Sequence, residues 1–268
     1  MSLSQRTPTA LVLLALLFAA VQWAPPFVYF LVIQAVVVLV LLEFYGLARR
    51  RRLQPQRAAG IAAALLLGAS FYVRGLTLEM ALFGVVFLVG AYFLAYARTI
   101  ERIAATPVAM AVTVFGAVYA GFTLNFLYVL RAEKGPLYLY FLFAVIFLGD
   151  TGAYFVGVLL GRHKMSRLVS PRKTWEGCVG GLVVAGAAAA AAQQLILGSM
   201  SLPQAVLCGV VTHAVAQLSD PIESIFKRAA GVKDSSNLLP GHGGFLDRVD
   251  SLILAGPAFY FYVRYLLR

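Results

Sequence analysis

The 268-residue chain is 61% hydrophobic and only 12% charged, with a mean hydropathy of +0.85. A soluble domain carries about a quarter charged residues, so an ordinary soluble fold is excluded, and the alternating ten-residue segments of a transmembrane barrel are absent too. The net charge of +11 then reads as membrane topology rather than nucleic-acid binding, because basic residues gather in loops that stay cytoplasmic.

Apolar runs place spans at residues 9–24, 27–48, 58–73, 76–97, 104–130, 136–160, 175–198, 201–219 and 250–267. The first follows Arg6 and has no small-residue cleavage site before Pro25-Pro26, so it reads as an anchor and not as a signal peptide. The third, eighth and ninth are short and open to tilt or re-entry. With a cytoplasmic amino terminus and every span crossing, 17 of the 22 Lys and Arg residues fall on the cytoplasmic side, the bias expected of that orientation. The Arg49–Arg52 run serves as a topology anchor, with headgroup binding as an alternative. The expectation is an all-α polytopic integral membrane protein with about nine transmembrane helices and its amino terminus in the cytoplasm.

All five aspartates lie at or after residue 150, whereas the first half carries only Glu43, Glu79, Glu101 and Glu133. Residues 1–140 therefore read as a transmembrane scaffold and 141–268 as the catalytic region of one continuous membrane domain. Cys178 and Cys208 lie in apolar runs without metal-ligand spacing and read as small packing residues.

The polar residues of the second half fall into four groups. Asp150 sits mid-span, where a carboxylate costs about 2.5–3.5 kcal/mol on insertion scales; it makes either a buried interhelical bond or part of a site. In Ser170-Pro-Arg-Lys-Thr-Trp-Glu-Gly177, the hydroxyls of Ser170 and Thr174 and the cations Arg172 and Lys173 precede a helix start. That is a phosphate seat, or else a basic anchor beside an interfacial Trp. His213, Gln217, Asp220 and Ser224 share one helical face if the eighth helix continues past Pro221, with Glu223 one turn from Asp220; an interhelical polar seam is the alternative. Last, Ser224–Asp250 gathers Lys227, Arg228, Lys233, His242, Gly243, Asp247, Arg248 and Asp250. Carboxylates at 247 and 250 are one turn apart, a spacing that suits Mg²⁺ and its substrate phosphates, and the basic residues supply charge for phosphates. His242 is a proton carrier, a ligand contact or a turn residue. The composite points to Mg²⁺-assisted phosphoryl or nucleotidyl transfer at a membrane surface.

Ser224-x-Phe226-Lys227-Arg228, then Lys233-Asp234, then Leu239-Pro240-x-His242-Gly243-Gly244-Phe245-x-Asp247-Arg248-x-Asp250 resembles the signature of the phosphatidate cytidylyltransferase family. Asp150-Thr-Gly-Ala-Tyr154 and Ser170–Gly177 resemble two further segments of it, so the likeness covers roughly residues 149–251. Ser219-Asp220-Pro221 stands where the family often reads Gly-Asp-Leu, and Arg172 where Lys is usual. The resemblance implies transfer of a cytidylyl group from CTP to phosphatidic acid, with Mg²⁺ and room for a second cation, in a homodimer among membrane lipids. A bacterial inner membrane with the site facing the cytoplasm is the implied location. It implies metal at Asp220, Asp247 and Asp250, and catalytic charge at Lys227 and Arg228. Substrate contacts are implied at Ser170, Arg172, Lys173, Thr174, Ser224, Lys233, His242, Gly243 and Arg248. A CDP-alcohol phosphotransferase would need Asp-x-x-Asp-Gly, but Ser251 follows Asp250. A transporter would show similar halves, which this chain lacks.

Overall fold

The computed structural model describes residues 3–198, 200–239 and 243–267. In chain order these form α1 (Leu3–Trp23), α2 (Pro26–Arg50), α3 (Arg57–Ala69), α4 (Leu78–Tyr96), α5 (Ile100–Gly116), a π-helical stretch (Ala117–Phe122) and α6 (Thr123–Lys134). They continue as α7 (Pro136–Leu159), strands β1 (Lys164–Ser166) and β2 (Ser170–Thr174), α8 (Trp175–Leu195), α9 (Leu202–Ala229) and α10 (Leu246–Phe261), closed by a second π-helical turn, Tyr262–Leu266. Among the described residues, six helical segments are long and apolar enough to cross a membrane: α2, α4, the continuous Ile100–Lys134 rod, α7, α8 and α9. The protein is an all-α integral membrane protein. The remaining predicted spans coincide with α1, α3 and α10. The 13 residues of α3 rise about 20 Å, short of the roughly 30 Å hydrocarbon core.

Two features differ from a plain reading of the hydrophobic runs. Helix α9, the eighth predicted span, does not end at 219 but continues through Pro221 to Ala229, which puts Asp220, Glu223 and Ser224 on the helix. It stops at Gly231, whose φ of +72° suits a residue without Cβ. Gly231 N–H donates to Arg228 O and Val232 N–H to Lys227 O, a Schellman ending. The Arg162–Glu176 stretch is an antiparallel hairpin, with Lys164 opposite Thr174 and Ser166 opposite Ser170. Glu176 holds its base: its carboxylate accepts from the backbone N–H of Arg162 at 3.1 Å and His163 at 3.2 Å, and lies 2.5 Å from His163 Nδ1.

The chain divides into two compact units, Met1–Tyr128 with Phe226–Arg248, and Val129–Ile225 with Val249–Arg268. In the first, Phe44 on α2 packs its ring against Phe115, Tyr119 and Phe226. Buried Gln34 donates to Asn125 Oδ1 at 2.7 Å, and Asn125 returns a bond to Gly121 O at 2.6 Å. The Gln34 Nε2 and Asn125 groups are thereby bonded, as buried polar groups usually are, whereas Gln34 Oε1 is buried without a partner.

The second unit is held by a seam of small residues. A Cβ on Gly177 of α8 would lie 2.7 Å from Ala153 O and 3.0 Å from Gly157 Cα of α7, and one on Gly180 would strike Val156. A Cβ on Gly209 of α9 would meet Ala185 O at 3.0 Å. With no apolar-versus-water contrast inside a bilayer, such close backbone approach is what gives helices their packing energy.

Candidate active site

In the second unit, three carboxylates converge. Asp220 and Glu223, one turn apart on α9, and Asp250 on α10 each offer an oxygen, all within 4.8 Å of one another. Glu223 is fully buried and the aspartates are half-buried. Ser224 Oγ donates to Asp220 Oδ1 at 3.3 Å, Ser251 N–H donates to Asp250 Oδ1 at 2.7 Å, and Ser219 Oγ donates to Asp250 O. Carboxylates this close repel by about 4 kcal/mol per pair at an effective dielectric of 20. A cation offsets that repulsion, and an all-oxygen donor set suits a hard divalent ion. Lys173, at the end of β2, places Nζ 2.7 Å from Asp220 Oδ2.

Asp220, Asp250, Ser251 and Lys173 line a cavity of about 860 Å³, together with Asp150, Tyr154, Lys164, Arg172, Thr174, Cys178 and Gln217, while Glu223 is buried behind them. Thr174 caps α8 by accepting from Gly177 N–H at 3.2 Å, so the helix start, the hydroxyl and the two cations of the predicted phosphate seat belong to one wall. Asp150 faces this cavity. His213 and Gln217 form the polar seam: their Nε2 atoms are 3.0 Å apart, Gln217 Nε2 donates to Cys178 O at 3.1 Å, and Cys178 Sγ donates to Gln217 Oε1 at 2.6 Å. Of the predicted site residues, Ser170, Arg172, Lys173, Thr174, Asp220, Ser224 and Asp250 belong to this unit.

Lys227, Arg228, Lys233, Gly243, Asp247 and Arg248 belong to the first unit; His242 lies outside the described residues. Asp247 Oδ1 accepts from Lys227 Nζ at 2.7 Å, and Oδ2 accepts from Ser235 N–H at 2.8 Å, Ser235 Oγ at 2.7 Å and Gly244 N–H at 2.9 Å. Burial pushes the Asp247 carboxyl up, but the Lys227 ammonium, the Gly244 N–H and the two Ser235 donors outweigh it, and the group sits below its ordinary value. Gly243, at φ +79°, has no room for a Cβ, which would lie 2.9 Å from Asp247 Oδ2. Arg228 Nη1 donates to Val232 O at 2.9 Å.

Two further carboxylates lie outside the predicted set. Glu223 completes the acidic trio; its position one turn from Asp220 was the signal. Glu43 on α2 is the other. It is 7% exposed and accepts from Ser236 Oγ at 2.7 Å, Phe245 N–H at 3.0 Å and Leu246 N–H at 2.8 Å, while Ser235 Oγ, 2.8 Å away, has one proton to share between Glu43 and Asp247. Its carboxylate serves as the amino-terminal cap of α10, filling N–H groups that a helix start leaves open. A lone glutamate in an apolar helix was the signal available.

The description "cytidylyltransferase family" belongs to a family model that matches residues 4–266. Among curated proteins, the chain is 44% identical over 133 residues to a phosphatidate cytidylyltransferase of Haemophilus influenzae, covering 48% of this chain and 46% of that protein. It is 42% identical over 139 residues to one of Staphylococcus saprophyticus, covering 52% and 53%. It is 41% identical over 141 residues to one of Staphylococcus aureus, again covering 52% and 53%. The chain thus spans about half the length of the curated relatives it matches.

Proposed function

The chain belongs to the cytidylyltransferase family, and on that premise we propose that it transfers the cytidylyl group of CTP to phosphatidate, giving CDP-diacylglycerol and pyrophosphate. The observation that carries this reading is the acidic trio Asp220, Glu223 and Asp250 beside Lys173, with Asp220, Asp250 and Lys173 lining a cavity of about 860 Å³. The reaction needs a phosphate oxygen of phosphatidate to attack the α-phosphorus of CTP in line. One P–O bond forms to the lipid phosphate as the bridging P–O bond between the α- and β-phosphoryl groups breaks, and the electron pair leaves with pyrophosphate. No group on the protein has to become covalently attached, so the work is positioning and charge neutralisation.

Asp220, Glu223 and Asp250 would hold Mg²⁺, with a second cation admissible. When bound, such an ion supplies positive charge to the phosphoryl oxygens. Lys173, which lies 2.7 Å from Asp220 Oδ2, would be available to a substrate phosphate, and Arg172, Ser170 and Thr174 would supply further donors from the hairpin and the start of α8. Ser224 orients Asp220. In the first unit, Asp247 and Lys227 hold the loop that carries Lys233 and Gly243 and the first turn of α10 with Arg248, so that these present donors to phosphate; Arg228 fixes the loop's entry through Val232. The basic-residue bias supports a bacterial inner membrane with the site open to cytoplasmic CTP. The working assembly is a homodimer, as the family resemblance implies, and cross-linking in membranes tests it.

The test of the reaction is direct. Purified protein supplied with CTP, phosphatidate and Mg²⁺ should release pyrophosphate and form CDP-diacylglycerol in equal amounts. Asp250→Asn should lower turnover by about a hundredfold or more. Turnover of Asp250→Asn at the parent rate, or pyrophosphate release without CDP-diacylglycerol, would overturn the proposal.

A further inference from the structure

A small cavity in the first unit lies where α2 ends. Its volume is about 270 Å³, and its walls include Leu47 and Ala48 of α2, Ala111 and Val112 of α5, and the rings of Phe44, Phe115 and Phe226. Those three rings meet at 5.1–5.9 Å between centroids. Among the described residues Arg51 is the one charged side chain on the walls, and it belongs to the run Arg49–Arg52, which is exposed throughout. We propose that this cavity holds part of one acyl chain of an anionic phospholipid of the surrounding bilayer, with the headgroup phosphate on Arg51 and its neighbouring arginines.

Charge and shape together select that occupant. From residue 43 to residue 57 there are five arginines and one carboxylate, Glu43, so the balance is positive with every acidic group counted. The end of α4, tied to Gln56 and Gln54 by Tyr92 and Tyr96, leads into Arg98 and Arg102 against Glu101. None of Arg49–Arg52 forms an ion pair among the described residues. Arg51 Nε donates to Ala229 O, a carbonyl that the end of α9 leaves open, and its Nη groups remain to grip a phosphate. After α2 the backbone turns sharply, with Arg52 at φ +58° and Gln54 at +51°, a region that residues with a Cβ seldom occupy. Gln56 N–H then donates to Thr113 Oγ1 at 3.0 Å, so the arginines sit on a turn pinned to α5 and not on a free helix end.

About 10 Å of helix rise separates Phe44 from Arg51, which carries the cavity from the arginines into the apolar part of α2. Ala111 and Phe115 are exposed, so a hydrocarbon chain can enter sideways. Pockets that enclose a whole drug-sized ligand measure roughly 300–1,000 Å³; this one is smaller and takes a stretch of a single chain. A nucleotide would find no hydrogen-bonding side chain on the walls besides Arg51. A zwitterionic lipid brings a cation of its own to the arginines, which an anionic headgroup does not. A topology anchor accounts for the charge and leaves the cavity beside it unexplained.

The experiment reads binding alone and is independent of turnover. The whole chain is reconstituted in phosphatidylcholine nanodiscs with a trace of phosphatidylglycerol bearing a photoreactive group on one acyl chain, and a parallel sample carries the same chain on phosphatidylcholine. Cross-linked peptides are mapped. The anionic probe is expected to label segments 44–48 and 111–115 about fivefold more than the neutral one, the preference that one basic residue gives near a membrane surface. Arg51→Gln should bring the anionic probe down to about the neutral level, and Arg51→Lys should restore most of the difference. Ala111→Phe, which fills the cavity and leaves every charge in place, should remove labelling of both segments by either probe. Each variant's thermal unfolding in detergent is compared with the parent; where one melts early, the parent at high salt takes its place, since screening should lower the anionic labelling alone. Equal labelling of the parent by both probes, labelling elsewhere, or displacement of the probe by inorganic phosphate would overturn the proposal. Displacement by trace phosphatidate but not by unlabelled phosphatidylglycerol would overturn it too, by making the cavity a substrate seat.

Discussion

Replacing Glu43 by alanine removes a single carboxylate from α2 and, with it, three acceptor contacts and a share of the Ser235 hydroxyl from the loop before α10. Two of the donors are backbone N–H groups at the start of α10, which no intrahelical carbonyl can reach. Deleting one partner of a buried, charge-assisted set costs about 3–5 kcal/mol, and each buried N–H left open accounts for about 1–3 kcal/mol of that. Asp247 remains on Ser235 and Gly244, so the loss should fall on the loop and the first turn of α10 rather than on the whole fold. Hydrogen exchange followed by mass spectrometry reads it: amides of Phe245 and Leu246 should exchange about a hundredfold faster, the rate equivalent of roughly 3 kcal/mol in local opening. Glu43→Gln should fall between, because one amide oxygen still accepts while the NH₂ group faces donors. Unchanged exchange at Phe245 and Leu246 in a folded Glu43→Ala protein would refute the capping argument.

Asp220→Asn should abolish the rise in thermal unfolding temperature that Mg²⁺ gives the parent protein, since binding to the folded state is what stabilises it; an undiminished rise would place the ion elsewhere. The lowered carboxyl of Asp247 fixes a sign. A group whose folded value lies below its unfolded value near 3.9 stabilises above that pH and loses the contribution as the pH falls through the folded value. Hydrogen exchange at the Ser235 and Gly244 amides, corrected for the intrinsic pH dependence and followed as the pH falls below about 3.9, should therefore speed up at the acid end, and in Asp247→Asn it should be fast throughout. Gly177→Ala would force its methyl to within 2.7 Å of Ala153 O; overpacking of this kind costs about 1–3 kcal/mol, visible as an earlier thermal unfolding in detergent.

Hydrophobic runs made the helices legible, because a bilayer demands continuous apolar segments and nothing tertiary competes with that demand. Asp220 and Asp250 stood out by spacing: Asp220 shares a helical face with His213, Gln217 and Ser224, and Asp250 lies one turn from Asp247. Partners were not legible. Glu43 finds Ser235 at a sequence separation of 192, and no periodicity links an isolated glutamate to a distant loop. The signature from Ser224 to Asp250 looks continuous in sequence, yet Asp250 joins Asp220 and Glu223 while Asp247, three residues earlier, is engaged by Lys227 and Ser235. The helical pitch put the two aspartates on one turn; their partners decided what each one does. The hairpin of Lys164–Thr174 was hidden too, because its short strands are basic and lack the alternation that marks a half-buried strand.

The glycine and alanine seam between α7 and α8 carries a mechanical consequence. Such residues have no rotamers to exchange, so the two helices cannot accommodate an incoming substrate by repacking side chains. Their backbones are already in contact, and the pair behaves as a stiff plate. Compliance in that unit therefore resides in what the plate carries, above all the hairpin, whose tip residue Leu168 is 88% exposed. Lys173 lies on that same hairpin, so adjustment of the cationic wall can proceed while the helical frame stays fixed.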